Sequence, residues 1–235
     1  MRQPPTRTAA PAKTLGTSGL TYRQAVEMQN RLCGRLVLKT PAKRVRTVAG
    51  ADVAFTKGFE KTIAGFVLFT WPRLEPVDFA LAEIETTFPY VPGLLSFREI
   101  PALTAAYGRL SGRPDVVFCD GQGIAHPRRF GLASHLGVVL GTATIGCAKS
   151  VLVGEFGEPG LARGERSPMM YEGECIGLAL RTRDNVKPLY VSPGHLMDLE
   201  TAAEMVLAAG RGYRLPEPTR AAHNLVTQAK RHFVT

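Results

Sequence analysis

Cysteine is scarce in this chain, and long apolar runs are missing. Among 235 residues there are four cysteines, Cys33, Cys119, Cys147 and Cys175, and no two of them form a Cys-x-x-Cys pair. This usage excludes a disulfide scaffold, argues against a structural zinc site, and is typical of the reduced thiols of a cytoplasmic protein. No stretch reaches the roughly twenty apolar residues that a membrane-spanning helix needs, so no membrane partner is expected.

Acidic residues are fewer than basic ones: the chain has 20 aspartates and glutamates and 29 lysines and arginines, which gives a net charge of +9. A strongly basic balance favours a polyanionic partner, most simply nucleic acid. The deficit is complete in residues 1–19, which are rich in proline, threonine and alanine and hold no acid. Because this segment has no helical periodicity, we expect a disordered basic tail there. No linker divides residues 20–235, which predicts a single domain.

Hydrophobic periodicity predicts helices alternating with strands along that domain. Short connections between the first three strands favour antiparallel pairing, and the helices between later strands favour parallel pairing. We therefore expect an α/β fold with a mixed sheet, antiparallel in strands 1–3 and parallel afterwards, flanked by helices on both faces. The predicted helices are 21–35, 99–110, 129–140, 199–209 and one ending near 232, and the predicted strands are 45–55, 62–71, 77–88, 116–119, 144–153, 175–182 and 189–192.

Two aspartates interrupt apolar strands. Asp120 follows the run Val-Val-Phe-Cys at 116–119, and Asp52 lies within Val-Ala-Gly-Ala-Asp-Val-Ala-Phe at 48–55. A lone buried carboxylate costs several kcal/mol, roughly, so each acid should be hydrogen-bonded, paired or metal-bound. Taken singly, Asp120 could cap a turn and Asp52 could face water on an edge strand. Their joint placement favours a site for divalent cations.

Three further residues have side chains suited to phosphodiester hydrolysis. Glu99 lies near a predicted helix start, Lys149 ends an apolar strand, and His223 falls on the last predicted helix. Each has a simpler interpretation: an acid near a helix dipole, a lysine reaching solvent, and a surface or core histidine. Hard carboxylate oxygens suit Mg²⁺ or Mn²⁺, and two such ions can activate water and neutralise a phosphate.

Two loops have unusual composition. In PYVPG at 89–93, two prolines stiffen the backbone and leave Tyr90 at an aromatic tip, which could wedge into a base stack or cover the core. The loop GQGIAHPRR at 121–129 offers close backbone approach at its glycines and two cations at a probable helix start. It could hold a base and its phosphates. Its glycine spacing does not match a dinucleotide fingerprint.

The order of predicted elements resembles the ribonuclease H-like nuclease superfamily, and the motifs resemble one family within it, endonuclease V. The matching blocks are GADV at 50–53, PYVPGLLSFRE at 89–99, DGQGIAHPRRFGLASHLG at 120–137, TIGCAK at 144–149, SPGH at 192–195 and YRLPEPTR at 213–220. The blocks are long, ordered and spread over almost everything after the tail. The resemblance implies a ribonuclease H-like fold and Mg²⁺-dependent nicking at the second phosphodiester 3′ to deoxyinosine, leaving a 3′ hydroxyl and a 5′ phosphate.

The resemblance also implies residue roles. Asp52 and Asp120 would be the principal metal ligands, Glu99 and His223 would complete the cluster, and Lys149 would contact the reacting backbone. Tyr90 and its neighbouring Pro92 would form a wedge that separates the strands, and His195 would touch backbone phosphate or merely cap a helix. The pocket for the extruded hypoxanthine would be lined by Gly93, Leu95, Gly121, Gly123, His126 and Ala148.

Two positions depart from the pattern that the resemblance implies. Gln122 stands where bacterial relatives more often have histidine, which affects the loop's hydrogen bonding more than its catalysis. At position 223 some relatives have an acid. Because imidazole is a softer ligand for magnesium than carboxylate, His223 could act through water or as a proton carrier.

The sequence thus predicts a metal-dependent DNA repair endonuclease with Mg²⁺ as cofactor, replaceable by Mn²⁺. It is expected to be a cytoplasmic monomer that binds inosine-containing DNA. Two alternatives stay open: an endoribonuclease specific for inosine in single-stranded RNA, and a non-catalytic inosine-binding module on the same scaffold. A pocket for hypoxanthine need not read the 2′-hydroxyl, and the acids at 52, 99 and 120 argue against a purely binding role.

Overall fold

A computed structural model describes residues 19–232, so the tail predicted at 1–19 lies almost wholly outside the described residues. The described chain contains five α-helices and eight strands, together with a short 3₁₀ turn at Lys57–Phe59. In chain order these are α1 Tyr22–Cys33, β1 Thr47–Phe55, β2 Lys61–Thr70, β3 Pro76–Glu85, α2 Ser96–Arg109, β4 Val116–Cys119, α3 Leu132–Leu140, β5 Ala143–Ala148, β6 Arg166–Tyr171, β7 Glu174–Leu180, β8 Leu189–Pro193, α4 Leu199–Ala208 and α5 Glu217–His232.

The eight strands form one mixed sheet in the order β3-β2-β1-β4-β5-β8-β7-β6. As predicted, β1, β2 and β3 pair antiparallel, and β1, β4 and β5 pair parallel. The mixed α/β fold with helices on both faces is confirmed. None of the helices in the described part combines the length and apolarity that crossing a membrane requires.

The parallel pairing ends at β5, earlier than the sequence suggested. The strands β8, β7 and β6 pair antiparallel with β5 and with one another. The turn between β6 and β7 explains part of this difference, because Glu172 and Gly173 both have positive φ, 52° and 79°. Two such residues make a tight hairpin, which can only join antiparallel strands. The strand β6 falls in a stretch for which the sequence predicted no strand.

The central strands are buried on both faces, and alternate residues serve two separate cores. On one face Val48 of β1 and Phe118 of β4 pack with Val206 of α4. On the other face Ala49 and Val117 pack with α2 and α3. The parallel pairing of β1 with β4 ends at Ala51 and Cys119, which belong to the second of these cores.

Helix α1 stands before the first strand and lies against α3. It begins with a capping box, in which the Thr21 hydroxyl accepts from the Gln24 amide while the Gln24 side chain accepts from the Thr21 amide. Asp198 caps α4 by accepting from the Thr201 amide at 2.8 Å. Both caps satisfy backbone donors that would otherwise lack partners at a helix start.

Candidate active site

Asp52 and Asp120 lie side by side at the carboxyl edge of the parallel strands. The parallel register pairs Ala51 with Cys119, so the next residue of each strand is one of the two aspartates. The Asp120 amide donates to the Ala51 carbonyl at 3.1 Å, which extends the ladder to the aspartate itself. Adjacent parallel strands therefore bring together two acids that are far apart in the sequence.

Helix α5 adds a histidine to this pair, and Gly50 sets its position. Gly50 and Asp52 share one face of β1, and a Cβ at Gly50 would lie only 1.7 Å from the Pro218 carbonyl oxygen. Only glycine lets the start of α5 approach the strand so closely. One and a half turns further along, His223 Nδ1 lies 2.8 Å from Asp52 Oδ2.

The donor atoms of Asp52, Asp120 and His223 all lie within 4.8 Å of one another. Two carboxylates and one imidazole form a donor set that fits a divalent cation, with the oxygens suited to Mg²⁺ or Mn²⁺. Glu99 lies outside this set, in the first turn of α2. It lines a cavity that Asp120 also lines, so a third carboxylate lies at the same region.

The electrostatics of the cluster show how crowded these charges are. Burial, together with the charge of Asp120, raises the pKa of Asp52 to about 6. Burial, together with the charges of Asp52 and Asp120, raises the pKa of Glu99 to about 8. A divalent cation among these oxygens would favour their charged forms, so the donor set fits a metal electrostatically as well as chemically.

Lys149 pairs with the second aspartate, as its position after β5 allows. Its Nζ lies 2.5 Å from Asp120 Oδ2. Gln122 supports the same region by donating its side-chain amide to the Ser150 carbonyl at 2.8 Å, which ties the loop after β5 to the loop after β4. Gln122, which stands where relatives more often have histidine, therefore makes a hydrogen bond next to Lys149 and is not part of the acid cluster.

A cavity of about 430 Å³ opens next to the acids. Such a volume falls within the usual range for small-molecule sites. Glu99, Asp120 and Lys149 lie in its wall, whereas Asp52 and His223 lie outside its lining. The predicted pocket and wedge residues that line it are Tyr90, Pro92, Gly93, Leu95, Gly121, His126 and Ala148.

The loop at 89–93 forms the outer rim of this cavity. The Tyr90 side chain is 69% exposed and Leu95 is 40% exposed, so the rim presents apolar groups to solvent. Below the rim, Phe88 and Leu94 are buried in a cluster with Phe97 and anchor the loop on both sides. The residues on either side of the loop are buried, whereas Tyr90 itself is exposed to solvent. Tyr90 therefore does not cover the core.

His126, which lines the cavity, links the loop at 121–129 to the rim loop at 89–93. Its Nδ1 accepts from the Arg128 amide at 3.1 Å, so its proton lies on Nε2, which donates to the Gly93 carbonyl at 3.1 Å. Burial, together with the charge of Arg128, lowers the pKa of His126 to about 4, so the ring is neutral near pH 7. Both nitrogens are engaged within the protein, and the ring itself faces the cavity.

Two predicted binding residues lie elsewhere. Gly123 packs against β8, where its amide donates to Ser192 Oγ at 2.8 Å and a Cβ would lie 2.1 Å from the Pro193 carbonyl oxygen. His195 follows β8, whose carboxyl end lies beside the amino end of β5, opposite the acids. Its Nδ1 accepts from the Val37 amide at 3.3 Å. In this structure Gly123 contacts β8 and His195 bonds to the backbone of residue 37, and neither residue lines the cavity.

Sequence reasoning missed several residues that build the cavity. Val151 and Leu152 extend its apolar wall beyond Lys149. Gln29 on α1 is fully buried and bonds to the carbonyls of Gly93 and Phe130. A buried polar residue at an apolar spacing of α1 was the available signal for Gln29. Val151 and Leu152 fall within the strand predicted at 144–153, but β5 ends at Ala148, so that prediction gave no sign of their place in the cavity wall.

The sheet order and the placement of the acids define a nuclease of the ribonuclease H-like class, a hydrolase that acts on phosphodiester bonds. The family model for endonuclease V matches residues 30–224. An endonuclease V of Myxococcus xanthus is 53% identical over 213 residues, covering 90% of this chain and 91% of that protein. The chain belongs to the endonuclease V family, as the motif blocks predicted.

Solved structures agree with this membership. The endonuclease V of Streptomyces avermitilis superposes with a TM-score of 0.87 at 42% identity, covering 92% of this chain and 95% of the other. The endonuclease V of Ciona intestinalis, solved in complex with a 24mer DNA containing an inosine followed by a ribo-adenosine, gives a TM-score of 0.76 at 28% identity. That match covers 90% of this chain and 98% of the Ciona chain.

Proposed function

We propose that the protein is a DNA repair endonuclease that recognises deoxyinosine and hydrolyses the second phosphodiester on its 3′ side, leaving a 3′ hydroxyl and a 5′ phosphate. One observation carries the proposal: Glu99 and Asp120 share a cavity with Tyr90 and His126. A site for an extruded base thus adjoins the acids that would act on the backbone. The Ciona relative solved with inosine-containing DNA supports the choice of lesion.

The proposed cofactor is Mg²⁺, replaceable by Mn²⁺. Asp52, Asp120 and His223 would hold it, with Glu99 completing the set from α2. When bound, a pair of divalent ions supplies an activated water and neutralises charge on the phosphate oxygens. The raised pKa values of Asp52 and Glu99 support this assignment, because burial and neighbouring negative charge make these carboxylates costly to ionise unless a cation is bound.

The chain's own residues bind and orient the substrate. Lys149 holds a positive charge beside Asp120, where it can contact a phosphate oxygen of the reacting strand. His223 uses Nδ1 for Asp52, which leaves Nε2 to exchange a proton with water. The His223 side chain is 46% exposed, so water can reach it while Nδ1 stays beside the Asp52 carboxylate.

The rim and the cavity would divide the work of recognition. Tyr90, stiffened by the flanking prolines, would enter the space that the extruded base leaves in the stack. Gly93, Leu95, Gly121, His126 and Ala148 would surround the base itself. Extrusion is easiest at a base pair that is already weakened, and a deaminated adenine opposite thymine meets that condition.

An incision assay tests the proposal. A duplex with one deoxyinosine and an end label on the modified strand is incubated with the protein, with and without Mg²⁺. We expect a nick at the second phosphodiester 3′ to the lesion only with Mg²⁺, and none in the matched undamaged duplex. Binding without a nick at any divalent concentration would identify the non-catalytic module instead.

RNA is the second candidate substrate. The Ciona complex contains a ribo-adenosine directly after the inosine, which motivates a parallel assay on single-stranded RNA with one inosine. Faster cleavage of this RNA than of the DNA would make the protein an endoribonuclease. We propose in addition that the protein acts in the cytoplasm as a monomer, which sedimentation at micromolar concentration would test.

A further inference from the structure

We propose that Gln29 on α1 is a positioning residue that sets the width of the base cavity and thereby its selectivity for inosine. This inference rests on the proposed function of the cavity. Gln29 lies one residue before the stretch that the endonuclease V family model matches. It does not line the cavity, so it acts through the residues that do.

The Gln29 side chain joins two loops that both line the cavity. Its Nε2 donates to the Gly93 carbonyl at 3.1 Å and to the Phe130 carbonyl at 3.0 Å. Its Oε1 accepts from Arg128 Nε. One amide therefore holds the rim loop at 89–93 and the loop at 121–131 at a fixed separation, and every polar atom of the side chain is used.

The Gly93 carbonyl is the point at which the two loops meet. It accepts from Gln29, from His126 Nε2 at 3.1 Å and from Arg128 Nη2 at 2.6 Å. Gly93 has a φ of +76°, and a Cβ there would lie 2.8 Å from Arg128 Nη2. The peptide is thus fixed in a conformation that glycine adopts most readily, with three donors aimed at one oxygen.

Packing alone does not require an amide at this position. Helix α1 is already held by apolar side chains, with Ala25 in the cluster of Phe88 and Phe97, and Leu32 in the cluster of Phe130 and Val138. Gln29 is 0% exposed, and a buried amide is costly unless all its hydrogen bonds are made. Its polarity therefore serves the two loops it joins.

The chemistry of the amide is specific to this arrangement. A carboxylate at position 29 could accept from Arg128 but would face the Gly93 and Phe130 carbonyls with no donor. A thioether of similar size would fill the space and make none of the three bonds. Both changes remove one of the three donors to the Gly93 carbonyl and the link to Phe130, and should loosen the Gly93 peptide while leaving the acid cluster untouched.

The test compares Gln29→Met and Gln29→Glu with a control on the same helix, Leu32→Ala. The control removes apolar packing but leaves the hydrogen bonds to the Gly93 and Phe130 carbonyls in place. Binding is measured by titration, in Ca²⁺, of a duplex with one deoxyinosine and of the matched undamaged duplex. We expect the ratio of the two affinities to fall about tenfold in Gln29→Met, as for the loss of about 1.4 kcal/mol of differential binding. The ratio should fall further in Gln29→Glu and stay within about twofold of the parent in Leu32→Ala.

Amide hydrogen exchange of the free proteins gives a second readout. Exchange should quicken in residues 89–95 in Gln29→Met and over α1 in Leu32→Ala. An unchanged affinity ratio in Gln29→Met, or an equal fall in Leu32→Ala, would overturn the inference. If Gln29→Met does not fold, Gln29→Glu carries the same test. A parent protein that binds both duplexes equally would refute the proposed function instead, so the two failures are distinct.

Discussion

The two ends of β4 each carry an aspartate, and the protein treats them in opposite ways. At the amino end, Asp115 accepts from Lys43 Nζ at 2.6 Å and from the amides of Arg46 and Thr47 at 2.8 and 3.1 Å. Although partial burial opposes the charge, these donors hold the pKa of Asp115 below its ordinary value. This carboxylate is fully supplied with donors and ties the loop before β1 to the start of β4.

At the carboxyl end the balance is reversed. Asp120 stands beside Asp52, and burial together with neighbouring negative charge raises the pKa values of Asp52 and Glu99. Aspartate therefore serves two purposes in this fold. Asp115 is stabilised in its charged form, whereas Asp52 is placed where its charged form is disfavoured. Functional sites are where the second arrangement is usually found.

The largest expected effect is on nicking activity, and it distinguishes the aspartates at the two ends of β4. Asp120→Asn should reduce nicking of an inosine duplex by about a thousandfold or more, because one metal ligand and the partner of Lys149 are changed together. Asp115→Asn, its matched control on the same strand, should nick within about twofold of the parent. The measurement is single-turnover incision in Mg²⁺, with lesion binding measured in Ca²⁺. Near-parental turnover in Asp120→Asn would refute its proposed role as a metal ligand.

The next effect separates the ends by pH. The folded pKa values of Asp52 and Glu99 are raised to about 6 and about 8, so the stability linked to these acids is complete below their unfolded values and is lost as pH rises through 6 and 8. In EDTA, an Asp52→Asn, Glu99→Gln double variant should therefore gain stability over the parent progressively from pH 5 to pH 9. Urea unfolding at each pH measures this gain, and Mg²⁺ should reduce it by stabilising the parent. Parallel stability curves would show that the acids are not strained.

A smaller effect of opposite sign belongs to Asp115. Its pKa is lowered, so the stability it contributes is present above its ordinary pKa of 3.8 and is lost as pH falls further. Asp115→Asn should cost about 1 kcal/mol of unfolding free energy at pH 7, with little cost at pH 3. Urea unfolding at the two pH values checks this. A greater loss at pH 3 than at pH 7 would contradict the assignment.

The smallest effect concerns the rim beside the acids. Tyr90→Ala should lower discrimination between lesion and undamaged duplex by about three- to tenfold, since stacking of one aromatic on a base contributes about 1 kcal/mol. Its matched control is Phe79→Ala, because Phe79 is similarly exposed at 62% on the edge strand β3. Incision rates on both duplexes give the discrimination. Equal discrimination in the two variants would make Tyr90 an ordinary surface residue.

Much of the sheet could be predicted from the sequence because its strands are apolar runs bounded by turns. The run at 116–119 gave β4 with its observed bounds, and the alternation of helices and strands gave the parallel pairs. The strand β6 was not predicted because its side chains are mostly exposed and include Pro168. Periodicity detects a strand by its buried face, and an edge strand has little of one.

The acid pair could also be predicted, because Asp52 and Asp120 are conspicuous inside apolar runs. Their partners were harder to assign from the residues alone. His223 contacts Asp52 only because Gly50 admits α5, and a close approach between segments 168 residues apart leaves no local pattern. Gln29 stands at an apolar spacing of α1, which was a local signal, but its three bonds reach loops far along the chain, so its partners had none.

The contact between Gly50 and Pro218 has a consequence for the chain while it is being synthesised. A nascent chain that ends before α5 has both aspartates but lacks the helix that covers Gly50 and brings in the imidazole. The cluster of two carboxylates and one imidazole therefore assembles only after residues 217–223 have been synthesised, 97 residues or more beyond Asp120.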